Sequence, residues 1–151
     1  MRPGVRVFGI SAHHEVEELT LHMLEQLVLP AGLHMEIFST RTLPSEIVDE
    51  VLRHKPALVF IAVLPPGGLP QAIYLCKRLR KKFPELGIVA GYWGQKAHLD
   101  RIILRLRTAG ANYVTTTLLG GRSHIYSMLP EAIVPPSSSG ETSSPLAVAA
   151  R

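Results

Sequence analysis

Four groups of residues in this 151-residue chain carry types that could do chemistry. The first is "SAHHE", where Ser11, His13 and His14 follow one another closely. Neutral imidazole binds metals and carries protons at physiological pH. Adjacent histidines at a helix start point in different directions, however, so both rarely serve one metal, and a structural or solvent-facing role competes with ligand contact. Ser11 either meets a ligand or caps the following helix by accepting an orphan backbone N–H. The second group is Leu64, Pro65, Pro66, Gly67 and Gly68. Prolines fix the backbone and glycines then free it, permitting close approach by a ligand, and the helix start beyond Gly68 offers N–H groups suited to an anion. A rigid turn explains the same residues equally well. The segment lacks the Lys-Ser/Thr end of a Walker loop, which argues against nucleotide hydrolysis.

The third group, Gly91, Tyr92, Trp93 and Gln95, sets an aromatic pair where it could stack on a flat ligand or plug an emptied cofactor site. Thr115, Thr116 and Thr117 form the fourth, their hydroxyls explained equally by strand propensity. These groups do not assemble into a catalytic team. Cys76 falls mid-helix among core positions, and a reactive thiol needs an accessible, electropositive setting. Neither paired carboxylates nor a nucleophile elbow is present near the same loops, so the expectation is a non-enzymatic domain.

The elements that would position these residues follow from periodicity. "VRVFGI" (Val5 to Ile10) reads as a first strand, and from Glu15 apolar Val16, Leu19, Met23, Leu24, Leu27 and Val28 recur at helical spacing until Pro30 and Gly32. His34 to Phe38 is a second strand, and Pro44 to Arg53 a second helix with Ile47, Val51 and Leu52 inward. Leu58 to Val63 is continuously apolar, the mark of a central parallel strand covered on both faces. Gln71 to Phe83, Gly87 to Ala90, His98 to Gly110 and Ala111 to Thr117 continue the alternation, and Thr117 to Leu129 can form a last helix. Five β-α units predict an α/β, three-layer α/β/α sandwich with a five-stranded parallel sheet in the flavodoxin-like order 2-1-3-4-5. In such a sheet ligands bind beyond the carboxyl ends of the strands, which selects the loops carrying all four groups.

Hydrophobic residues at 46% and charged residues at 19% describe one globular domain, read as 1–134. Residues 135–151, rich in Pro and Ser, cannot bury enough surface to offset ordering entropy and read as a disordered tail. The single cysteine excludes an internal disulfide and fits a reducing compartment, so the expected location is cytoplasmic or at the inner face of the cell membrane. No apolar run approaches the roughly 20 residues needed to span a bilayer. The formal charge of +4 resides largely in "KRLRKK" and in Arg101, Arg105 and Arg107, on helix faces, which predicts no nucleic-acid partner.

From Val5 to Leu118 this pattern resembles the cobalamin-binding domains of flavodoxin-like fold. Their signature is D-x-H-x-x-G after strand one, S-x-L after strand three and G-G after strand four. Aligning His13 with the family histidine puts Ser11 at the aspartate and Val16 at the glycine; aligning His14 puts Ala12 and Glu17 there. Ala62, Val63 and Leu64 replace S-x-L, and Gly91 is retained beside Tyr92. The resemblance implies a cobalamin carrier using His13 or His14 on cobalt as one function, and the substitutions imply loss of that cofactor as another. Without cobalamin, no metal site is expected.

The run from Leu64 to Gly94, "LPPGG", then "YLCKRLR", then "FPEL" and "GYWG", is similar to soluble domains at the carboxyl end of autoinducer-2 exporter-like permeases. That likeness implies a regulatory or ligand-sensing domain working with a membrane permease. Phosphoacceptor signalling domains share the topology but need acidic residues after strands one and three and a lysine after strand five. Those places hold Ser11, Ala62 or Leu64, and Thr116 or Thr117.

Overall fold

Short β-branched runs alternate with amphipathic helices throughout the structure, a computed structural model that describes residues 5–93 and 97–129. Gln95 and the 135–151 segment lie outside the described residues. The strands are β1 (Val5–Ser11), β2 (Leu33–Phe38), β3 (Leu58–Val63), β4 (Gly87–Tyr92) and β5 (Tyr113–Thr115). The helices are α1 (Val16–Val28), α2 (Pro44–His54), α3 (Leu69–Lys82), α4 (Leu99–Ala109) and α5 (Leu118–Met128), with a 3-10 turn at Leu29–Ala31. All strand pairs are parallel and the order is β2-β1-β3-β4-β5, the flavodoxin-like arrangement.

Every residue of β3 is buried, as its unbroken apolar run requires. Alternation along the strands divides the core between two faces. Phe8, Ile10, Val59, Ile61 and Tyr92 pack with α2, α3 and α4, whereas Val7, Phe60, Ala62, Val89 and Trp93 pack with α1 and α5. Register then sets Ser11 opposite Ala62, Ala62 opposite Gly91, and Gly91 opposite Thr115. Four small residues therefore form one row across the carboxyl end of the sheet, on the α1/α5 side.

The structure moves several expected details. Strand β4 continues through Gly91 and Tyr92, and β5 shrinks to three residues. In α1 the inward side is Glu17, Leu21, Leu24 and Val28, while Val16, Leu19 and Met23 are exposed. Counting only apolar positions rotated the expected face, because the helix buries a carboxylate. Leu52 in α2 also faces out, at 53% exposure, one residue past buried Val51.

Candidate functional site

The carboxyl edge of the sheet is organised by Glu17, whose side chain is 0% exposed. Its Oε1 accepts the backbone N–H groups of His13 (2.7 Å) and His14 (2.9 Å), and its Oε2 accepts that of Leu64 (2.8 Å). Three orphan donors from two loops are satisfied by one carboxylate, which also sits in the first turn of α1, where the helix dipole favours negative charge. The loop after β1 and the loop after β3 are thereby tied into a single unit.

The Pro-Gly segment closes around the same point. Pro65–Pro66 is a cis peptide, and Gly67 and Gly68 adopt φ of 88° and 84°, the left-handed region that glycine tolerates. A Cβ on Gly67 would lie 3.2 Å from His13 Cδ2 and 3.3 Å from its Nε2; one on Gly68 would lie 3.1 Å from His13 Cβ. The exposed His13 side chain thus packs beside the glycines, and Gly68 leads directly into α3. His14 turns away, its Nδ1 accepting the Val16 N–H at 3.1 Å.

Ser11 does not cap α1. It belongs to β1, its Oγ is buried, and no hydrogen-bond partner reaches it among the described residues. No side chain caps α1; Glu17, three residues beyond His14, instead reaches back to accept the His13 and His14 N–H groups ahead of the helix. That spacing was the available signal for Glu17, hidden by its position between apolar residues.

The row of small residues is filled. Trp93, 7% exposed, lays its ring over Gly91 and stacks on Phe60 with centroids 5.9 Å apart and planes 16° apart. A Cβ on Gly91 would fall 2.5 Å from Trp93 Cζ2 and 2.9 Å from Phe60 Cε1. The Trp93 Nε1 is buried with no partner among the described residues. Helix α5 completes the enclosure. Its Gly120 lies against Thr115 Oγ1, and a Cβ on Gly121 would come within 3.1 Å of Phe60. Phe60, Gly120 and Gly121 are site residues outside the four sequence groups, because Phe60 lies within a core strand and the two glycines within α5.

Tyr92 and Trp93, adjacent in sequence, point to opposite faces, with buried Tyr92 in the α2/α3/α4 core. Thr115 is buried and donates to the Thr117 carbonyl (3.1 Å), while Thr117 Oγ1 accepts the Gly120 N–H and so caps α5. Thr116 is half-buried beside them. Far from this edge, burial pushes the Cys76 thiol from 9.0 up to about 12, partly opposed by the nearby Arg80 charge. Among the described residues no cluster of three or more His, Cys, Asp or Glu could hold a metal, and no helix is long and apolar enough to cross a membrane.

These residues do not fit cobalamin. In the cobalamin-binding domains that the chain resembles, the serine and glycine positions admit the cofactor's nucleotide tail; here the Trp93 indole lies over Gly91. The buried carboxylate at this edge, Glu17, is engaged with backbone N–H groups instead of orienting a histidine ring.

No protein-family model matches the sequence, and no curated protein does. Solved structures do match in fold. A cobalamin-binding protein from Desulfitobacterium hafniense DCB-2 superposes with a TM-score of 0.70 at 12% identity, over 83% of this chain and 60% of that one. A response regulator from Thermotoga maritima gives 0.66 at 15% identity, over 84% of this chain and 98% of that one. A two-component response regulator of the LuxR family from Aurantimonas sp. SI85-9A1 gives 0.62 at 16% identity, over 89% and 91%. The chain has the flavodoxin-like fold common to these proteins, and at such identities the likeness is one of fold.

Proposed function

We propose that this chain is a non-enzymatic regulatory domain that senses a small ligand at the carboxyl edge of its sheet and works on the cytoplasmic side of a permease-type membrane protein. The observation that carries this reading is the Glu17 clamp. A ligand that displaces His13 or the Pro-Gly turn must disturb hydrogen bonds shared by both loops, and so shift the starts of α1 and α3 together. Tight linkage between two surface loops suits signal transmission, since loops otherwise move independently.

Both neighbouring chemistries are disfavoured by the side chains present. The response regulators carry a signalling role in their names, but β1 ends here in Ser11 and β3 is followed by Leu64, without a carboxylate to accept phosphate. The cobalamin reading meets the filled slot. What supports the permease context is the Leu64 to Gly94 sequence pattern.

The test is deletion of this domain from a full-length permease relative, with transport measured with and without the domain. Altered regulation with intact membrane insertion is the expected result, and unchanged transport overturns the permease reading. Hydroxocobalamin titration of the full chain addresses the alternative. The expected outcome is no visible absorption change and no colour retained on gel filtration; retained colour would restore the carrier.

A further inference from the structure

Helices α3 and α4 lie side by side on the face of the sheet that also carries α2. Together they hold half of the chain's 16 Lys and Arg residues against a single acid, Asp100. Two exposed stripes at helical spacing adjoin there: Tyr74, Lys77, Arg78 and Lys81 on α3, and Arg101, Leu104, Arg105 and Thr108 on α4. A cleft of about 280 Å³ between the helices is lined by both Lys77 and Arg105 and joins the stripes into one surface.

The placement of these cations works against the helices that carry them. A helix dipole favours positive charge in the last turn, which accounts for Lys81. Lys77 and Arg78 stand in the middle of α3, however, and Arg101 in the first turn of α4, where positive charge is disfavoured. Lys77 with Lys81, and Arg101 with Arg105, are like charges four residues apart, a spacing that destabilises a helix. None of the five forms an ion pair among the described residues. Anions from outside the chain would offset this repulsion.

The surface is also amphipathic. Leu104, 65% exposed, is the most exposed large apolar side chain among the described residues, and it stands between Arg101 and Arg105 along its stripe. The Arg78 guanidinium lies 5.9 Å from the Tyr74 ring centroid and donates to the Tyr74 hydroxyl at 2.9 Å. An aliphatic side chain and an aromatic ring with a polar end, set among cations, suit the boundary between hydrocarbon and water.

We propose that the α3/α4 face docks on an anionic lipid surface, with Lys77, Arg78, Lys81, Arg101 and Arg105 on the headgroups and Leu104 entering the acyl boundary. Charge of one sign spread over two helices, α3 alone being about 21 Å long, matches a plane of charge better than a point ligand. At about 280 Å³ the cleft is smaller than one turn of an inserted helix, about 10 Å across and about 5.4 Å in pitch, so a flat contact is favoured over a docked acidic helix. The inference goes beyond the ligand-edge reading and does not depend on it, because this face lies along the helices and its test needs neither ligand nor permease.

The test is co-sedimentation of the full chain with vesicles of phosphatidylcholine and phosphatidylserine at about two to one, and with vesicles of phosphatidylcholine alone. Binding to the mixed vesicles only is expected, weakening as salt shortens the Debye length from about 10 Å at about 0.1 M to about 3 Å at about 1 M. Two charge-matched variants locate the contact. K77E/R105E, on the face, should lower the partition coefficient at least about tenfold, since each cation near an anionic surface contributes about a factor of five. R41E/K55E changes exposed positions elsewhere and should lower it less than about threefold, because charges beyond a Debye length are screened. Equal losses in the two variants reduce the effect to net charge and overturn the proposal. So does an absence of binding to the mixed vesicles, or equal binding to phosphatidylcholine alone. Tighter binding to a polyglutamate peptide than to the mixed vesicles, at equal anionic charge, overturns it in favour of an acidic protein partner.

Discussion

Glu17 and Leu64 stand 47 residues apart and are joined by a 2.8 Å hydrogen bond from the Leu64 N–H to Glu17 Oε2. The other oxygen of that carboxylate holds the N–H groups of His13 and His14. Through this one side chain, the helix after β1 controls where the Pro-Gly turn after β3 can lie. A Cβ on Gly67 or Gly68 would come within 3.1 to 3.3 Å of His13, tighter than ordinary contact, so the turn and the histidine pack closely against one another.

Replacement of Glu17 by Gln tests the clamp. An amide presents N–H donors to at least one backbone donor, leaving it buried and unsatisfied. Charge-assisted bonds contribute more than neutral ones, so E17Q is expected to lose about 2 to 3 kcal/mol in urea unfolding. The Leu64 amide should exchange with solvent at least about tenfold faster, by the same free-energy scale. Equal stability and unchanged exchange would remove the clamp as the organiser of this edge.

Arg80 does the corresponding work at the far end. Its guanidinium donates to the carbonyls of Phe83, Pro84, Leu86 and Gly110 and to Asn112 Oδ1, and Asn112 Oδ1 also accepts the Ile88 N–H. The planar fork of five donors fits this ring of acceptors, and a lysine ammonium cannot span it. R80K is expected to cost about 2 kcal/mol of stability, measured by denaturant unfolding, with faster amide exchange around residues 84–88. Stability within about 0.5 kcal/mol of the parent, the usual range for a surface change, would refute this role.

Cys76 predicts an alkaline effect. Its thiol is raised from 9.0 to about 12 by burial, so the folded state holds the proton more tightly than the unfolded chain does. Below pH 9 both states are protonated and the contribution is fully present. As pH climbs from 9 towards 12 the unfolded thiol ionises first, and stability falls. The variant C76A should therefore show a shallower loss of stability than the parent across that window, even if less stable at pH 7. Parallel profiles for the two proteins would contradict the raised value.

Most of the sheet was legible because its signal is local: the apolar run of Leu58 to Val63 specifies a doubly covered strand wherever it lies. The edge was harder. Glu17 was invisible to a search for apolar periodicity, since it occupies an inward position as a carboxylate whose partners, His13, His14 and Leu64, are backbone groups. By type Ser11 suits a ligand contact or a helix cap, yet β1 runs one residue further and takes it into the sheet. The row of Ser11, Ala62, Gly91 and Thr115 depends on register across four strands, which no single segment encodes. The sequence offers Tyr92 and Trp93 as a pair that stacks on a ligand or fills a site; the structure separates them, with Trp93 over Gly91 and Tyr92 turned to the other face because β4 extends through it.

That assignment leads to a double-mutant test of the slot. G91A introduces a methyl group 2.5 Å from Trp93 Cζ2 and 2.7 Å from Cη2, with Phe60 only 2.9 Å away, so the core must shift and stability should fall by about 1 to 3 kcal/mol. W93A removes the large buried ring and leaves a cavity, with an expected cost of about 3 to 5 kcal/mol. In the double variant the new methyl enters the space the indole has vacated, so the combined loss should be smaller than the sum by at least about 1 kcal/mol. Additivity within about 0.5 kcal/mol would mean that the two residues do not share the slot. Trp93 is the sole tryptophan, so its fluorescence in G91A reports the same displacement directly. A ring forced outward shifts its emission to longer wavelength, whereas a ring that stays over the sheet keeps the emission of the parent and transfers the strain to Phe60.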